Sequence, residues 1–419
     1  MTDVLGVSLP VTWSASRLKH VTSFLNRGTA PDYVDVGAVR AISQAANQDG
    51  GLDWSRTRFH NFSGDPARLK GLLYPHDVIV NSTGTGTLGR VGYFRGSPDG
   101  IPCMADGHVS IARFLPSRLY PRYAYYWMRA QQFQDYIYAA LVVGATNQIE
   151  LNRERLADAP VPLPPIEEQR RIADFLDAET ARIDTFIELR SRWASLLLQR
   201  FDESVRQSTR ESGDERFIPL RRILARIKTG ATPRADQTDL FVEKGVPWYT
   251  PGSFLSGVSL GSAERSIDPS AVKRSVPRFP VDSVVIVGIG ATAGRVAYLD
   301  RDGTGNQQLT ALTFQPEVHA RFLAWQLYAV TDELRQLAPF TTLPIINNDF
   351  LKAFPVWSPA PERQRAIAAD IDRDWVLLQD LLDAQERQRA LLAERRQALI
   401  TASVTGQFDV TTAKGVDLP

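Results

Sequence analysis

The sequence predicts an α+β chain: two mixed α/β domains, related by approximate twofold symmetry and separated by two long antiparallel coiled-coil helices. Three observations predict it. The chain repeats itself in order, each copy opens with a mixed, loop-rich part, and each copy closes with a proline cluster and a long heptad-like helix. At ~150 residues per domain, 419 residues hold two or three domains, each able to bury its own core. The mixed domains read as 1–158 and 213–354, the helical spacers as 159–212 and 355–412, and 413–419 as a tail.

Internal repeats come first because they decide the whole architecture. Tyr74-Pro75-His76-Asp77 aligns with Phe279-Pro280-Val281-Asp282. At the same offset Thr87 meets Thr292, and Gly89-Arg90-Val91-Gly92-Tyr93 meets Gly294-Arg295-Val296-Ala297-Tyr298. Near the starts, Leu18 and Pro31 meet Leu220 and Pro233. Further on, Thr146, Asn152, Leu156, Pro160 and Val161 meet Thr341, Asn347, Leu351, Pro355 and Val356. The register runs into Glu167-x-Gln169-Arg170-x-Ile172-Ala173 and its copy Glu362-x-Gln364-Arg365-x-Ile367-Ala368. Chance similarity in one block is easy; ordered similarity in four argues duplication.

Within each mixed part, Val78-Ile79-Val80 and Val284-Val285-Ile286-Val287 read as short buried strands. Tyr120–Leu141 and Ala320–Leu337 read as helices with aromatic faces. Pro160, Pro162, Pro164 and Pro165, and in the copy Pro355, Pro359 and Pro361, stop the preceding strand and suit a first helical turn. The helices that follow carry a seam near heptad spacing. Ile172, Leu176, Ile183, Phe186, Trp193 and Leu197 line it in one copy, and Ile367, Ile371, Leu378, Leu381, Leu392 and Leu399 in the other. Glu179, Arg190 and Gln385 interrupt it. Glu167/Arg171, Glu188/Arg192 and Asp383/Arg387 are i,i+4 pairs that support exposed faces. A plain amphipathic helix packed on its own domain is the other reading. Against it stands length: about 40 residues make a rod of roughly 60 Å, and two such rods pair most simply with each other.

The composition sets limits on chemistry. Lys+Arg 48 against Asp+Glu 47 gives a formal charge of +1, so any nucleic-acid surface must be local. The one cysteine, Cys103, allows no internal disulfide and suits a reducing, cytoplasmic compartment. Five dispersed histidines make no zinc cluster. The opening residues lack the basic region of a signal peptide. Ser283–Leu299, the most apolar stretch, is short, Gly-rich and contains Arg295, unlike a membrane span. The phosphate loop of ATP motors, the Asn/Asp-Pro-Pro-aromatic run of amino-group DNA methylases, H-E-x-x-H and G-x-S-x-G are all missing. The chain is therefore expected to be non-catalytic. Asp77 and Asp282, each after a Pro-x turn, read as turn or cap residues rather than acid–base groups.

Gly84-Thr85-Gly86-Thr87-Leu88-Gly89 fits G-x-G-x-x-G, but a strand-like segment follows where a dinucleotide site needs a helix. No nucleotide cofactor is expected in this chain. Two readings of the loop stay open: a tight structural turn, or a turn whose amides, hydroxyls and Arg90 (Arg295 in the copy) approach a phosphate. Basic residues gather in the mixed parts with aromatics between them. The candidates for DNA contact are Arg56, Arg58, Lys70, Thr85, Thr87, Arg90 and Arg95 in the first copy. In the second they are Arg234, Tyr249, Ser253, Lys273, Arg274, Thr292 and Arg295. Arg and Lys hold phosphates and read guanine, and polar side chains read other base edges. Arg68 and Arg278 belong to the same clusters. Solvated loop charge is the plain alternative.

The duplicated layout, Pro162-Leu-Pro-Pro-Ile-Glu-Glu-Gln-Arg-Arg-Ile172 with its copy Ser358-Pro-Ala-Pro-Glu-Arg-Gln-Arg-Ala-Ile367, and the loop Thr83-Gly-Thr-Gly-Thr-Leu-Gly-Arg90 resemble the specificity subunit of type I restriction-modification systems. Gly230-Ala-Thr-Pro233 and Val246-Pro-Trp-Tyr249 extend the resemblance to the second copy. It implies two target-recognition domains, each reading half of a bipartite site in double-stranded DNA, with the paired helices fixing the unread spacer. It further implies docking of two modification (methyltransferase) subunits that carry S-adenosylmethionine and methylate adenine N6. Two restriction subunits, where present, would bring ATP and Mg; no membrane partner is implied. The competing classes are a two-lobed scaffold for protein or glycan ligands and a self-sufficient DNA enzyme.

Overall fold

The computed structural model describes residues 3–84, 86–143, 149–210, 217–234, 237–272, 275–338 and 345–411. Its backbone contacts gather into two compact units, Met1–Leu189 with Arg387–Pro419, and Arg190–Glu386.

In the first unit Val91–Tyr93, Val78–Asn81, Val109–Phe114 and Thr22–Arg27 form an antiparallel sheet in that order. A second sheet runs Cys103–Ala105, Val39–Ile42, Arg58–His60, Tyr33–Val34, its first pair parallel. The second unit repeats both. Leu224–Thr229, Leu309–Phe314, Ser283–Val287 and Val296–Leu299 make the antiparallel sheet. Phe241–Val242, Arg265–Ile267, Val246–Tyr249 and Thr304–Gly305 make the mixed one, again with one parallel pair.

Residues 78–80 and 284–287 are apolar on both faces because each run separates two cores. Successive strand side chains point to opposite faces. Val78 and Val80 enter the core beneath the aromatic helix, and Ile79 enters the core between the sheets. Val284 and Ile286, then Val285 and Val287, divide in the same way.

The aromatic helices are shorter than the sequence suggests. The first is Pro121–Arg129, then Gln131–Tyr136 and a π-turn Ile137–Leu141; the second is Ala320–Ala329, then Thr331–Leu337. The first breaks where Ala130 turns extended, with ψ 147°, and its carbonyl restarts a helix by accepting from Gln134 N. Each helix is fixed to the root of a long helix by the same two devices. Arg122 Nε donates to Asp177 at 2.6 Å, and Arg321 Nε to Asp372 at 2.9 Å. Tyr126 and Trp325 donate to the same two carboxylates.

The second device explains the repeated Glu-x-Gln-Arg block. Gln169 is buried; its Oε1 accepts from Tyr120 N at 2.7 Å and its Nε2 donates to Pro164 O at 2.9 Å. Gln364 does the same with His319 N at 2.8 Å and Pro359 O at 2.7 Å. Replacing Gln364 by alanine leaves a half-buried N–H and a buried carbonyl unpaired. Such groups cost ~1–3 kcal/mol, so Q364A is expected to lower unfolding free energy by about 2 kcal/mol in urea titration. An unchanged midpoint would refute the clamp.

The long helices are Ile166–Ser208, 43 residues, and Pro361–Val404, 44 residues. At ~1.5 Å per residue each extends about 65 Å. They run antiparallel inside each unit. In the first, Asp184 meets Arg396 at 3.3 Å, and Ile172 and Leu176 share a core with Ile400 and Val404. In the second, Phe201 stacks on Trp375 with ring centres 5.1 Å apart, and Val205 shares a core with Ile371. Ile172, Leu176, Ile183, Ile371, Leu378 and Leu392 are buried. Phe186, Leu197, Ile367 and Leu399 are half-buried. Trp193 and Leu381 depart from the expected seam, being 44% and 46% exposed. A helix of 3.6 residues per turn drifts off a 3.5-residue repeat, and these positions rotate outward.

Candidate nucleic-acid interface

The last residue of the long edge strand in each unit leads into a glycine that admits no side chain. A Cβ on Gly28 would lie 2.0 Å from the Ala105 carbonyl oxygen, and one on Gly230 2.2 Å from that of Gly305. This close crossing seats the strand end on the turn that follows the parallel strand. Thr29 then donates its hydroxyl to the Lys70 carbonyl at 2.9 Å, tying the strand end to the loop 66–74.

Between strand end and loop lies a concavity of about 630 Å³. Asn26, Arg27, Arg68, Lys70, Tyr74 and Arg113 line it, and no carboxylate does among the described residues. Arg113 makes a two-pronged ion pair with buried Asp77, at 2.8 and 2.7 Å, and its guanidinium lies 4.3 Å from the Tyr74 ring centre. Arg27 reaches Glu150 at 3.2 Å. Arg68 and Lys70 are exposed, and among the described residues no carboxylate lies within ion-pair distance of either.

The sequence-derived candidates do not all gather here. Lys70 lies in the concavity. Arg56 pairs with Asp53 at 2.9 Å, Arg58 lies over Tyr33, and Arg95 is exposed beside Tyr93. Arg234 and Thr292 are exposed. Thr85, Lys273 and Arg274 lie outside the described residues. Thr87 donates to the carbonyl of Thr83 within its own turn at 3.3 Å. Two candidates are corrected outright. Tyr249, 4% exposed, packs in the core between the sheets, and Ser253, 6% exposed, accepts from Thr250 N in a capping box. Neither can touch a duplex from there.

Arg90 and Arg295 sit alike, and both turn inward. Arg90 Nη1 donates to the Asn47 carbonyl at 3.2 Å, with Asp49 at 3.2 Å from Nε. Arg295 Nη2 donates to the carbonyls of Phe254 and Leu255 at 2.9 and 3.0 Å. They hold neighbouring loops in place. The glycine loop is a strand-to-strand turn. Gly84, Gly86 and Gly89 have φ of 99°, 79° and 81°, and Gly294 has 90°. These are left-handed values that suit glycine.

Pairing Asp77 with Asp282 is one residue out of register. The left-handed residues are His76 and Asp282, with φ 77° and 58°. Tyr93 bonds to His76 Nδ1 as Tyr298 donates to the Asp282 carboxylate. The counterpart of Asp77 is then Ser283, whose hydroxyl meets Thr313 at 3.2 Å where Asp77 meets Arg113. One copy keeps an ion pair on a buried carboxylate and the other a hydroxyl pair.

Burial pushes the Cys103 thiol up to about 12, which removes it as a nucleophile at neutral pH. Among the described residues no cluster of histidine, cysteine and carboxylate could hold a metal, and no helix is long and apolar enough to cross a membrane.

The type I restriction modification DNA specificity domain matches residues 10–189 and 224–373, one block per copy. A protein of Methanocaldococcus jannaschii assigned as the MjaX type I restriction enzyme specificity subunit is 22% identical over 430 residues, spanning 96% of this chain and 95% of its own. A solved structure from work on complex assembly and conformational transition of the type I R-M system superposes with TM-score 0.77 at 18% identity, over 96% of this chain and all of that one. The HsdS subunit of Thermoanaerobacter tengcongensis gives 0.55 at 18% identity, over 96% and 98%. With both halves of its duplication matched, the chain belongs to the specificity-subunit family of type I restriction-modification systems.

Proposed function

We propose that this chain is the address-reading, non-catalytic part of a type I complex, and that each unit reads one half of a bipartite site in double-stranded DNA. The observation that carries this reading is the twofold construction. The same pair of four-stranded sheets is built twice, each clamped by the same Gln and Arg–Asp devices to the root of a helix of more than forty residues. Two methyltransferase subunits would dock on the helices, bringing S-adenosylmethionine for adenine N6 methylation in the cytoplasm. Two restriction subunits using ATP and Mg are a further layer that such a complex accommodates.

The physics is differential binding. Phosphate contacts position each unit and base-edge contacts supply ~1–3 kcal/mol of discrimination apiece. Linking two readers makes the second contact intramolecular, so affinities multiply only when the spacer suits the linkage. The test is a gel shift of the chain co-expressed with its methyltransferase partner on random duplexes. Salt-sensitive binding is expected; its absence would favour a scaffold for other ligands. The purified chain alone is expected to transfer no methyl groups, and turnover without a partner would overturn the division of labour.

A further inference from the structure

The duplication offers an internal comparison. The two half-sites of a bipartite target share a phosphate backbone and differ in their bases. Residues that both copies keep at one place therefore suit the backbone, and residues that differ suit the bases.

The concavity of the first unit can be sorted this way. Its floor loop opens with Asp65-Pro66, where the Asp65 side chain accepts from Ala67 N at 3.0 Å. The second copy has Asp268-Pro269, with Asp268 accepting from Ser270 N at 2.7 Å. Arg68 N bonds to Asp65 O at 2.9 Å, and Ala271 N to Asp268 O at 3.0 Å, so Arg68 and Ala271 are counterparts. Two residues further along the sequence each copy has a lysine, Lys70 and Lys273. On the strand, Asn26 faces Ile111 and Lys228 faces Ala311, the same register in both sheets. Lysine thus recurs after the Asp-Pro turn, while Arg68 becomes Ala271 and Asn26 becomes Lys228. All of Asn26, Lys228, Arg68 and Lys70 are exposed.

We infer that the concavity is the DNA-gripping site of the first unit, with Lys70 holding a backbone phosphate and Arg68 and Asn26 reading base edges of the first half-site. This rests on the reading that the chain binds DNA. Arginine matches guanine O6 and N7, and asparagine matches adenine N6 and N7. The Thr29–Lys70 bond and the Asp65 cap hold loop and strand in place before DNA arrives, so little ordering remains on binding. Arg27 and Arg113, held by Glu150 and Asp77, form the fixed wall behind them.

The test uses the complex with its methyltransferase partners and a duplex carrying the motif that the wild-type complex methylates. Arg68→Ala and Asn26→Ala are expected to relax discrimination about tenfold at positions of one half-site, leaving the other half-site as strict as before. Lys70→Ala is expected to weaken binding to all sequences alike and to lower the salt slope by about 1. Unaltered half-site specificity in folded R68A and N26A, or an unaltered salt slope in K70A, would overturn the assignment while leaving the wild-type DNA reading intact. A wild-type complex that shows no salt-sensitive binding would overturn both.

Discussion

Gly28→Ala is expected to destabilise the protein by about 3 kcal/mol or more, and Gly230→Ala by a similar amount. In both cases the three atoms nearest the added Cβ are all backbone. On Gly28 it faces the carbonyl oxygens of Ala105 and Asp106 at 2.0 and 2.4 Å, and on Gly230 those of Gly305 and Asn306 at 2.2 and 2.3 Å. Backbone cannot swing aside as a flexible side chain can. The same residues carry Gly28 N to Val109 O and Gly230 N to Leu309 O, so yielding breaks a hydrogen bond as well. Gly50→Ala is the control: nothing lies within 4 Å of its Cβ, and a shift within about 0.5 kcal/mol is expected. Equal urea midpoints for G28A and G50A would show that the crossing is not tight.

The second large effect concerns assembly. Trp193→Glu with Leu196→Glu is expected to cut copurification of the methyltransferase subunit at least tenfold. Both side chains are exposed, three residues apart on one helical face. Val376, Leu377 and Leu381 are exposed on the other long helix of the same unit, with Leu377 and Leu381 one turn apart. Large apolar groups repeated on solvent-facing helices mark surfaces awaiting a partner. Buried aromatics dominate such interfaces, so Trp193 is expected to carry most of the loss. Since the substitutions touch no core, the isolated chain should keep its melting temperature. Full-yield assembly of the double variant would remove this face from the docking surface.

Much of the architecture was legible because duplication prints the same constraints twice. Val78-Ile79-Val80 and its copy announce strands buried on both faces, and the proline clusters announce the long helices. The Glu-x-Gln-Arg block was visible as a repeat, but the Gln clamp was not, since its partners Tyr120 and His319 belong to another helix. The Asp77–Asp282 pairing misled because both copies carry Pro-x-Asp while the turn in one is a residue longer. The left-handed φ of His76 and Asp282 and their shared tyrosine bonds show the true register.

The site was harder to read. Tyr249 and Ser253 carry polar groups that suit DNA, yet apolar neighbours far along the chain enclose Tyr249 and a local capping box takes up Ser253. Arg90 and Arg295 are basic and repeated, and the structure uses both to hold loop carbonyls. Asn26 and Arg27 stand on a strand that carries no motif. The signal that could have found their concavity is the repeated Asp-Pro turn with a lysine following, at Lys70 and Lys273.

The central proposal is one chain holding two readers of different DNA sequence. Genome-wide mapping of methylated bases, in cells with and without this gene, addresses that directly. The expected outcome is loss of a single adenine motif made of two defined parts at a fixed separation. An unchanged methylation pattern, or loss of one uninterrupted motif, would contradict it.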